Sequence, residues 1–181
     1  MSDILAQYGR VTIYNEPNHP SPIYHVEGTI EANPYGDLAA LLEDDSLEEV
    51  MYNGGTQCVK VAHRDHGMCR TNVWIDDNDG LQIATNIASF TNVPLGDGPG
   101  MVPIFDGRLP DGSRVNGTIP PVSPDGPTLT IRKFKEDPLT MIDLINFGTV
   151  NLRLAAMMWV WIEGLDARPA NFVIAGGTGS G

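Results

Sequence analysis

Residues 102–135 read VPIFDGRLPDGSRVNGTIPPVSPDGPTLTIRKFK, and this segment indicates the fold class of the chain. Proline, aspartate and glycine divide it into three short runs, which is typical of strands separated by turns. The pattern predicts strands at Val102–Leu109, Ser113–Ile119 and Thr128–Lys135. Pro110-Asp111-Gly112 has the composition of a tight turn and joins the first two strands. We therefore expect a sheet-rich domain around this segment.

The sequence before this segment follows the same plan. Further strands are predicted at Arg10–Tyr14, Ile23–Gly28, Leu47–Tyr52, Gln57–Arg64 and Met68–Ile75, the last two as a hairpin about Asp65-His66-Gly67. Asp37 can cap a short helix, and helical spacing of apolar residues predicts another helix over Leu81–Phe90, after an acidic break at Asp76–Gly80. The acidic run Glu43-Asp44-Asp45 predicts a solvated face. Residues 1–135 are thus expected to form an α+β domain with a mostly antiparallel sheet and a few helices.

The pattern changes further along the chain. Asp137-Pro138 predicts the start of one helix, and Asn151 predicts the cap of a second over Leu152–Glu163, which the next glycine ends. Ala170–Ala175 predicts a short apolar strand. Two helices followed by such a strand indicate the opening of an α/β domain over residues 136–181.

The composition excludes several classes of protein. The 181 residues are 41% hydrophobic and 19% charged, which excludes wholesale disorder, and the net charge of −12 argues against a general nucleic-acid binder. No apolar run approaches the length of about 18 residues that spans a bilayer, so we expect no direct membrane insertion. Two cysteines are too few for a disulfide framework, which favours a cytoplasmic protein.

The charge is unevenly distributed along the chain. Residues 1–57 carry ten acidic side chains and one arginine, whereas residues 101–135 carry five basic side chains and three aspartates. A basic segment within so acidic a chain is a candidate site for an anion.

The last six residues, Gly176, Gly177, Thr178, Gly179, Ser180 and Gly181, fit the first six positions of the phosphate-binding (Walker A) pattern G-x-x-x-x-G-K-[ST]. Glycines suit such a loop because its backbone N–H groups must turn inward around a phosphate. The lysine and the hydroxyl that binds Mg²⁺ would follow Gly181. We therefore expect this chain to be a fragment that does not itself hydrolyse ATP.

Four motifs occur in order along the chain. They are RLPDGSRV at Arg108–Val115, IPPVS at Ile119–Ser123, TIRKF at Thr130–Phe134 and GGTGSG at Gly176–Gly181. In this order they resemble the type II/type IV secretion ATPases, and most closely the archaeal pilus and GspE-like branch. Leu47–Gly54 and His63–Asn72 are similar to the same branch, so the resemblance extends from about residue 38 to the last residue, and residues 1–37 form an extension before it.

The resemblance implies an N-terminal domain of antiparallel sheet and helices, a short linker and a RecA-like motor domain. Such ATPases drive pilus, flagellum and secretion machines as cytoplasmic homo-hexamers, peripheral to the membrane beneath a polytopic inner-membrane partner. ATP and Mg²⁺ would bind between the two domains. By the resemblance, Arg114 and Arg132 would reach phosphate across that cleft with a catalytic role, Arg108 and Lys133 are further candidates for nucleotide binding, and Gly176–Gly181 would begin the phosphate loop.

Two alternatives remain open at this level. One is a stand-alone regulatory or protein-binding module without a motor, which would dock through the acidic first 57 residues. The other is a structural zinc held by Cys58, His63, His66 and Cys69, although strand alternation places Cys58 and His63 on opposite faces.

Overall fold

A computed structural model describes residues 3–30, 33–134 and 139–177. The chain divides into two units, Met1–Lys135 and Glu136–Gly181.

The first unit is built on one sheet of nine strands within its described residues. The strands are β1 (Asp3–Tyr8), β2 (Val11–Asn15), β3 (Ile23–Val26), β4 (Leu47–Asn53), β5 (Lys60–His63), β6 (Gly67–Thr71), β7 (Ile104–Arg108), β8 (Arg114–Thr118) and β9 (Thr128–Arg132). They lie in the order β1-β2-β3-β6-β5-β4-β9-β8-β7, and neighbouring strands are antiparallel except for the parallel pair β3 and β6. This confirms the predicted α+β fold with a mostly antiparallel sheet.

Helices cover one face of this sheet. A 3₁₀ turn at Gly36–Leu38 leads into α1 (Ala39–Leu42), and α2 (Asp77–Phe90) follows the hairpin of β5 and β6. Alternate strand residues point to this face, as Val50 and Ile131 do, and pack with helix residues such as Ile87 in one core. The opposite face of the sheet, which we call the open face, carries polar and charged side chains such as Glu49, Arg114 and Arg132.

Close packing between α2 and the sheet depends on a glycine. A Cβ atom on Gly80 would lie 2.4 Å from the hydroxyl oxygen of Tyr52, which is a fully buried residue of β4. That hydroxyl donates to the backbone oxygen of Asp76 at 3.2 Å. Glycine therefore lets the first turn of α2 lie directly on the ring of Tyr52.

Three predictions for this unit were wrong in detail. Strand β1 was missed, because its residues DILAQY are mostly exposed and show no regular apolar alternation. The predicted acidic break at Asp76–Gly80 is the first turn of α2, in which the Asp76 carboxylate accepts from the backbone N–H groups of Asn78 and Asp79. Acidic residues suit this position because the helix dipole is positive there. Asp37 lies inside the 3₁₀ turn rather than capping it.

The second unit contains two described helices. They are α3 (Met141–Asn146) and α4 (Leu152–Glu163), followed by a 3₁₀ turn at Gly164–Asp166. Asn151 caps α4 as predicted, with its side-chain oxygen accepting from Leu154 N at 2.8 Å, and Gly164 ends it in the left-handed conformation at φ 74°. The cap of α3 is Thr140, in a capping box with Asp143. The earlier start predicted at Asp137-Pro138 lies outside the described residues.

The strand predicted at Ala170–Ala175 was wrong. Residues 168–177 have no regular secondary structure, and Val173 and Ile174 are 95% and 86% exposed. A strand requires a neighbour to satisfy its backbone groups, and the described part of this unit contains no other strand. Gly176 and Gly177 continue this irregular segment, whereas Thr178, Gly179, Ser180 and Gly181 lie outside the described residues.

Candidate functional site

Three arginines form a row across neighbouring strands on the open face of the sheet. Arg108 on β7 is paired directly with Arg114 on β8, and Arg114 is paired with Arg132 on β9. Directly paired residues project from the same face, with Cβ atoms about 4.5–5.5 Å apart. The strand register therefore gathers three cations, and we call Arg108, Arg114 and Arg132 the arginine row.

A tight turn sets the register between the first two arginines. The backbone N–H of Leu109 donates to Ser113 O at 2.8 Å, and that of Gly112 donates to Leu109 O at 2.9 Å. Gly112 has a φ of 88°, which favours glycine. The Asp111 carboxylate accepts from the N–H of Ser113 at 3.0 Å and from its hydroxyl at 2.7 Å. The motif Leu-Pro-Asp-Gly-Ser thus places Arg108 opposite Arg114.

One carboxylate lies at the end of the arginine row. Glu49 on β4 is paired directly with Arg132, and its Oε1 atom is 3.9 Å from Arg132 Nε. The Arg132 side chain is 75% exposed, so this ion pair is weak. Arg108 and Arg114 form no ion pair with any residue in the described part of the chain. The row therefore has an excess of positive charge. Because like charges on directly paired residues repel each other, a bound anion would reduce this repulsion.

Two cavities border the arginine row. One has a volume of about 550 Å³ and is lined by the three arginines together with polar strand residues such as Asn116 and Thr130. The other, of about 280 Å³, is lined by the same arginines and by the segment that follows β9. The guanidinium groups thus border spaces on the open face that a small anion can enter.

Lys133 directly follows β9 and also lines the smaller of the two cavities. Its side chain is 7% exposed, and its ammonium group donates to the backbone oxygen of Asp44 and lies 4.0 Å from Asp45 Oδ1. Burial lowers the pKa of Lys133, whereas the neighbouring carboxylates of Asp45 and Asp44 act in the opposite direction. Of the four basic residues singled out in the sequence, the structure brings three together and places the ammonium of the fourth elsewhere.

Asp44 is the centre of a polar network that the sequence analysis missed. Its Oδ2 atom accepts hydrogen bonds from the hydroxyls of Tyr24 at 2.6 Å and Tyr8 at 2.8 Å, and its Oδ1 accepts from Ser46 N at 2.8 Å. Burial raises the pKa of Asp44, but these hydrogen bonds outweigh it and leave the pKa below its usual value. Burial and the bond to Asp44 raise the pKa of Tyr8 to about 12. The prediction of a solvated face was therefore wrong for Asp44.

The network continues to His63, which the zinc hypothesis used as a ligand. Its Nδ1 accepts from the backbone N–H groups of Asp65 and His66 at 3.1 and 3.3 Å, so Nε2 carries the proton and meets the Tyr8 hydroxyl at 3.1 Å. Burial and the neighbouring His66 lower the pKa of His63. Among residues 3–30, 33–134 and 139–177, no three histidine, cysteine or acidic side chains form a group that could hold a metal ion. The zinc hypothesis thus receives no support from the geometry.

The chain is similar in sequence to proteins of an archaeon. No family model matches the chain. An uncharacterized protein of Methanocaldococcus jannaschii is 52% identical over 147 residues, which are 81% of this chain and 20% of that protein. A second uncharacterized protein of the same organism is 37% identical over 130 residues, which are 71% of this chain and 23% of that protein. The chain spans about a fifth of the length of these relatives.

Among solved structures, the chain is similar to the VirB11 ATPase from the Brucella suis type IV secretion system in complex with sulphate. The TM-score is 0.49 and the identity is 21%, and the match covers 69% of this chain and 39% of that one. None of the helices that the structure describes has the length and apolar character needed to cross a membrane.

Proposed function

We propose that this chain is the N-terminal part of a hexameric ATPase that powers pilus assembly or type II/IV protein secretion. In this proposal residues 1–135 form a nucleotide-facing domain, and residues 136–181 begin the motor domain that carries the phosphate loop. The observation that carries the proposal is the arginine row, because its members come from two of the motifs that resemble this class of ATPase. Arg108 and Arg114 lie in RLPDGSRV, and Arg132 lies in TIRKF.

The chemistry of the arginine row suits a polyphosphate. A guanidinium group is planar, remains charged at all physiological pH values and can donate two parallel hydrogen bonds to phosphate oxygens. Three such groups in register carry three positive charges, which is more than a ligand with a single carboxylate neutralises. Glu49 neutralises charge only at the Arg132 end of the row. A ligand with several negative charges therefore fits this row better than a singly charged one.

The residues present fit the phosphate end of ATP. Bound ATP would supply the phosphoanhydride bond, and Mg²⁺ would neutralise part of the phosphate charge. Arg114 and Arg132 would hold the phosphate oxygens and stabilise the negative charge that develops there, with Arg108 extending the contact. Lys133 is a further candidate for nucleotide binding because it lines one of the two cavities beside the row, although its ammonium donates to the backbone oxygen of Asp44. The backbone of Gly176–Gly181 would hold phosphate in the same protein.

The proposal also covers assembly and location. Following the resemblance, the whole protein would form a cytoplasmic homo-hexamer, bound at the membrane through a polytopic partner. Closing of the two domains on ATP and reopening after hydrolysis would supply the mechanical step.

The test is ATP hydrolysis by the longer protein that contains this chain and a complete phosphate loop. We expect Arg114→Ala or Arg132→Ala to lower kcat by about tenfold to a thousandfold, because either change removes a donor to phosphate. Arg64→Ala is the matched control, because the Arg64 guanidinium donates to the backbone oxygen of Asp45, away from the arginine row. Normal ATP hydrolysis by both variants would show that the arginine row does not bind the nucleotide.

A further inference from the structure

A second basic cavity lies on the open face of the sheet, and β4 separates its strands from those of the arginine row. It has a volume of about 400 Å³, and its lining includes side chains from β5, β6 and the segments beside them. Among the residues that line it are His19, Lys60, Arg70 and Trp74. The volume falls within the range of about 300–1,000 Å³ that small-molecule sites occupy.

Two cations of this cavity are direct partners in the sheet. Lys60 on β5 is paired with Arg70 on β6, so two like charges stand opposite each other on one face. The Lys60 ammonium donates to Gln57 Oε1, an uncharged group, at 3.2 Å. Arg70 Nη1 lies 4.0 Å from Glu16 Oε2, with both side chains partly exposed. Among the residues that the structure describes, Glu16 is therefore the one carboxylate that pairs with these two cations, in a chain whose net charge is −12.

A large aromatic side chain borders the same cavity. Trp74 is 57% exposed, although tryptophan is usually buried to a large extent. Its indole offers a flat apolar surface on which a planar ring can stack. His19 Nδ1 accepts from Ser21 N at 3.3 Å, so the remaining ring nitrogen carries a proton that it can donate. Cations, a hydrogen-bond donor and an aromatic face are thus gathered at one cavity.

We propose that this cavity binds a phosphorylated ligand with a planar ring, as in a mononucleotide. Lys60 and Arg70 hold the phosphate, His19 donates to it, and Trp74 stacks on the ring. The phosphate relieves the repulsion between the paired cations, and stacking distinguishes the ligand from free phosphate. This inference does not rest on the proposed ATPase function, because it uses none of the residues of the arginine row.

The experiment is a titration of the ¹⁵N-labelled 181-residue chain with adenosine monophosphate, followed through the indole N–H resonance of Trp74. That resonance is assigned by its loss in Trp74→Phe. We expect a saturable shift, and we expect the double variant Lys60→Gln/Arg70→Gln to bind about tenfold more weakly or worse, because two charged hydrogen bonds are lost. Inorganic phosphate and adenosine, each alone, should bind more weakly than the monophosphate.

Two controls separate this cavity from other sites. Arg64→Gln removes a cation of the same unit outside this cavity, and Arg114→Gln removes one from the arginine row. Neither should change the titration of Trp74. The single variant Lys60→Gln replaces the double variant if circular dichroism shows that the latter does not fold.

Three outcomes would overturn the inference. They are a Trp74 resonance that does not shift saturably, variants at Lys60 and Arg70 that bind as tightly as the parent chain, and equal affinities for inorganic phosphate and the monophosphate. Failure of the ATPase test would leave this titration unaffected, so the two proposals can fail separately.

Discussion

Arg114 and Arg132 lie directly opposite each other on adjacent antiparallel strands, and within the described residues Glu49 is the one carboxylate that pairs with either guanidinium group. The distance between Glu49 Oε1 and Arg132 Nε is 3.9 Å. Such an arrangement costs stability in the absence of an anion, because like charges on paired strand residues repel. The folded domain therefore keeps an unfavourable local charge distribution that a bound anion would relieve, which is a common feature of binding sites.

The first prediction follows from this repulsion. Arg114→Gln should raise the free energy of unfolding by about 0.2–1 kcal/mol at low ionic strength, because a repulsive cross-strand pair is removed on both sides of β8. The gain should shrink with added salt, which screens exposed charges. Urea unfolding at low and high sodium chloride measures it, with Arg64→Gln as a control for loss of an arginine. A variant less stable than the parent chain at low salt would contradict the repulsion.

The second prediction concerns Asp44 and its hydrogen bonds. Asp44→Asn should lower the free energy of unfolding at pH 7 by about 1–3 kcal/mol, because the hydrogen bonds from Tyr24 and Tyr8 lose their charged acceptor. The folded-state pKa of Asp44 lies below its usual value of 3.8. On acidification the unfolded chain therefore takes up the proton before the folded chain does. The stabilisation that Asp44 contributes is complete above the unfolded-state pKa and is lost as the pH falls through the folded-state pKa.

The difference between the parent chain and Asp44→Asn should therefore narrow on acidification. Urea unfolding at pH 7 and near pH 3 measures both proteins, and Glu48→Gln, at an exposed carboxylate, shows the effect of losing a charge alone. An Asp44→Asn difference that is the same at both pH values would mean that the carboxylate is not stabilised by its partners.

The third prediction concerns the contact between α2 and β4. Gly80→Ala should destabilise the first unit by about 1–3 kcal/mol, because the new methyl group would overlap the ring of Tyr52. Alanine would otherwise favour the helix by about 1 kcal/mol, so the sign of the change tests the packing directly. Thermal unfolding measures it, with Asn78→Ala as a control at an exposed position in the same turn. An increase in stability would show that α2 does not lie on Tyr52.

Features that depend on neighbouring residues were predicted well. Asn151 caps the start of α4 and Gly164 ends it, as expected, because a helix cap is a contact within one turn. The Pro110-Asp111-Gly112 turn joins β7 and β8 as expected, because its geometry depends on glycine at a positive φ and on the Asp111 side chain. The three arginines were named from a basic segment and its motifs, and their role in binding stays a prediction.

Features that depend on distant residues were missed or wrong. The contact of the Lys133 ammonium with the backbone oxygen of Asp44, 89 residues earlier in the chain, was not predicted. The acidic run containing Asp44 gives no sign of Tyr8 and Tyr24, which lie on strands β1 and β3. The strand predicted at Ala170–Ala175 failed for the same reason, since strands depend on partners that the local sequence does not contain.

The local sequence is sufficient to predict the helix caps, the turns, the alternation of the strands and the occurrence of three arginines within one segment. These follow from backbone preferences and from contacts between close neighbours. The folded structure was needed to show that the arginines form one row, that the Lys133 ammonium contacts Asp44, and that Lys60, Arg70 and Trp74 line one cavity. Such relationships depend on which strands pair and in what register, and these are determined by the packing of the whole core.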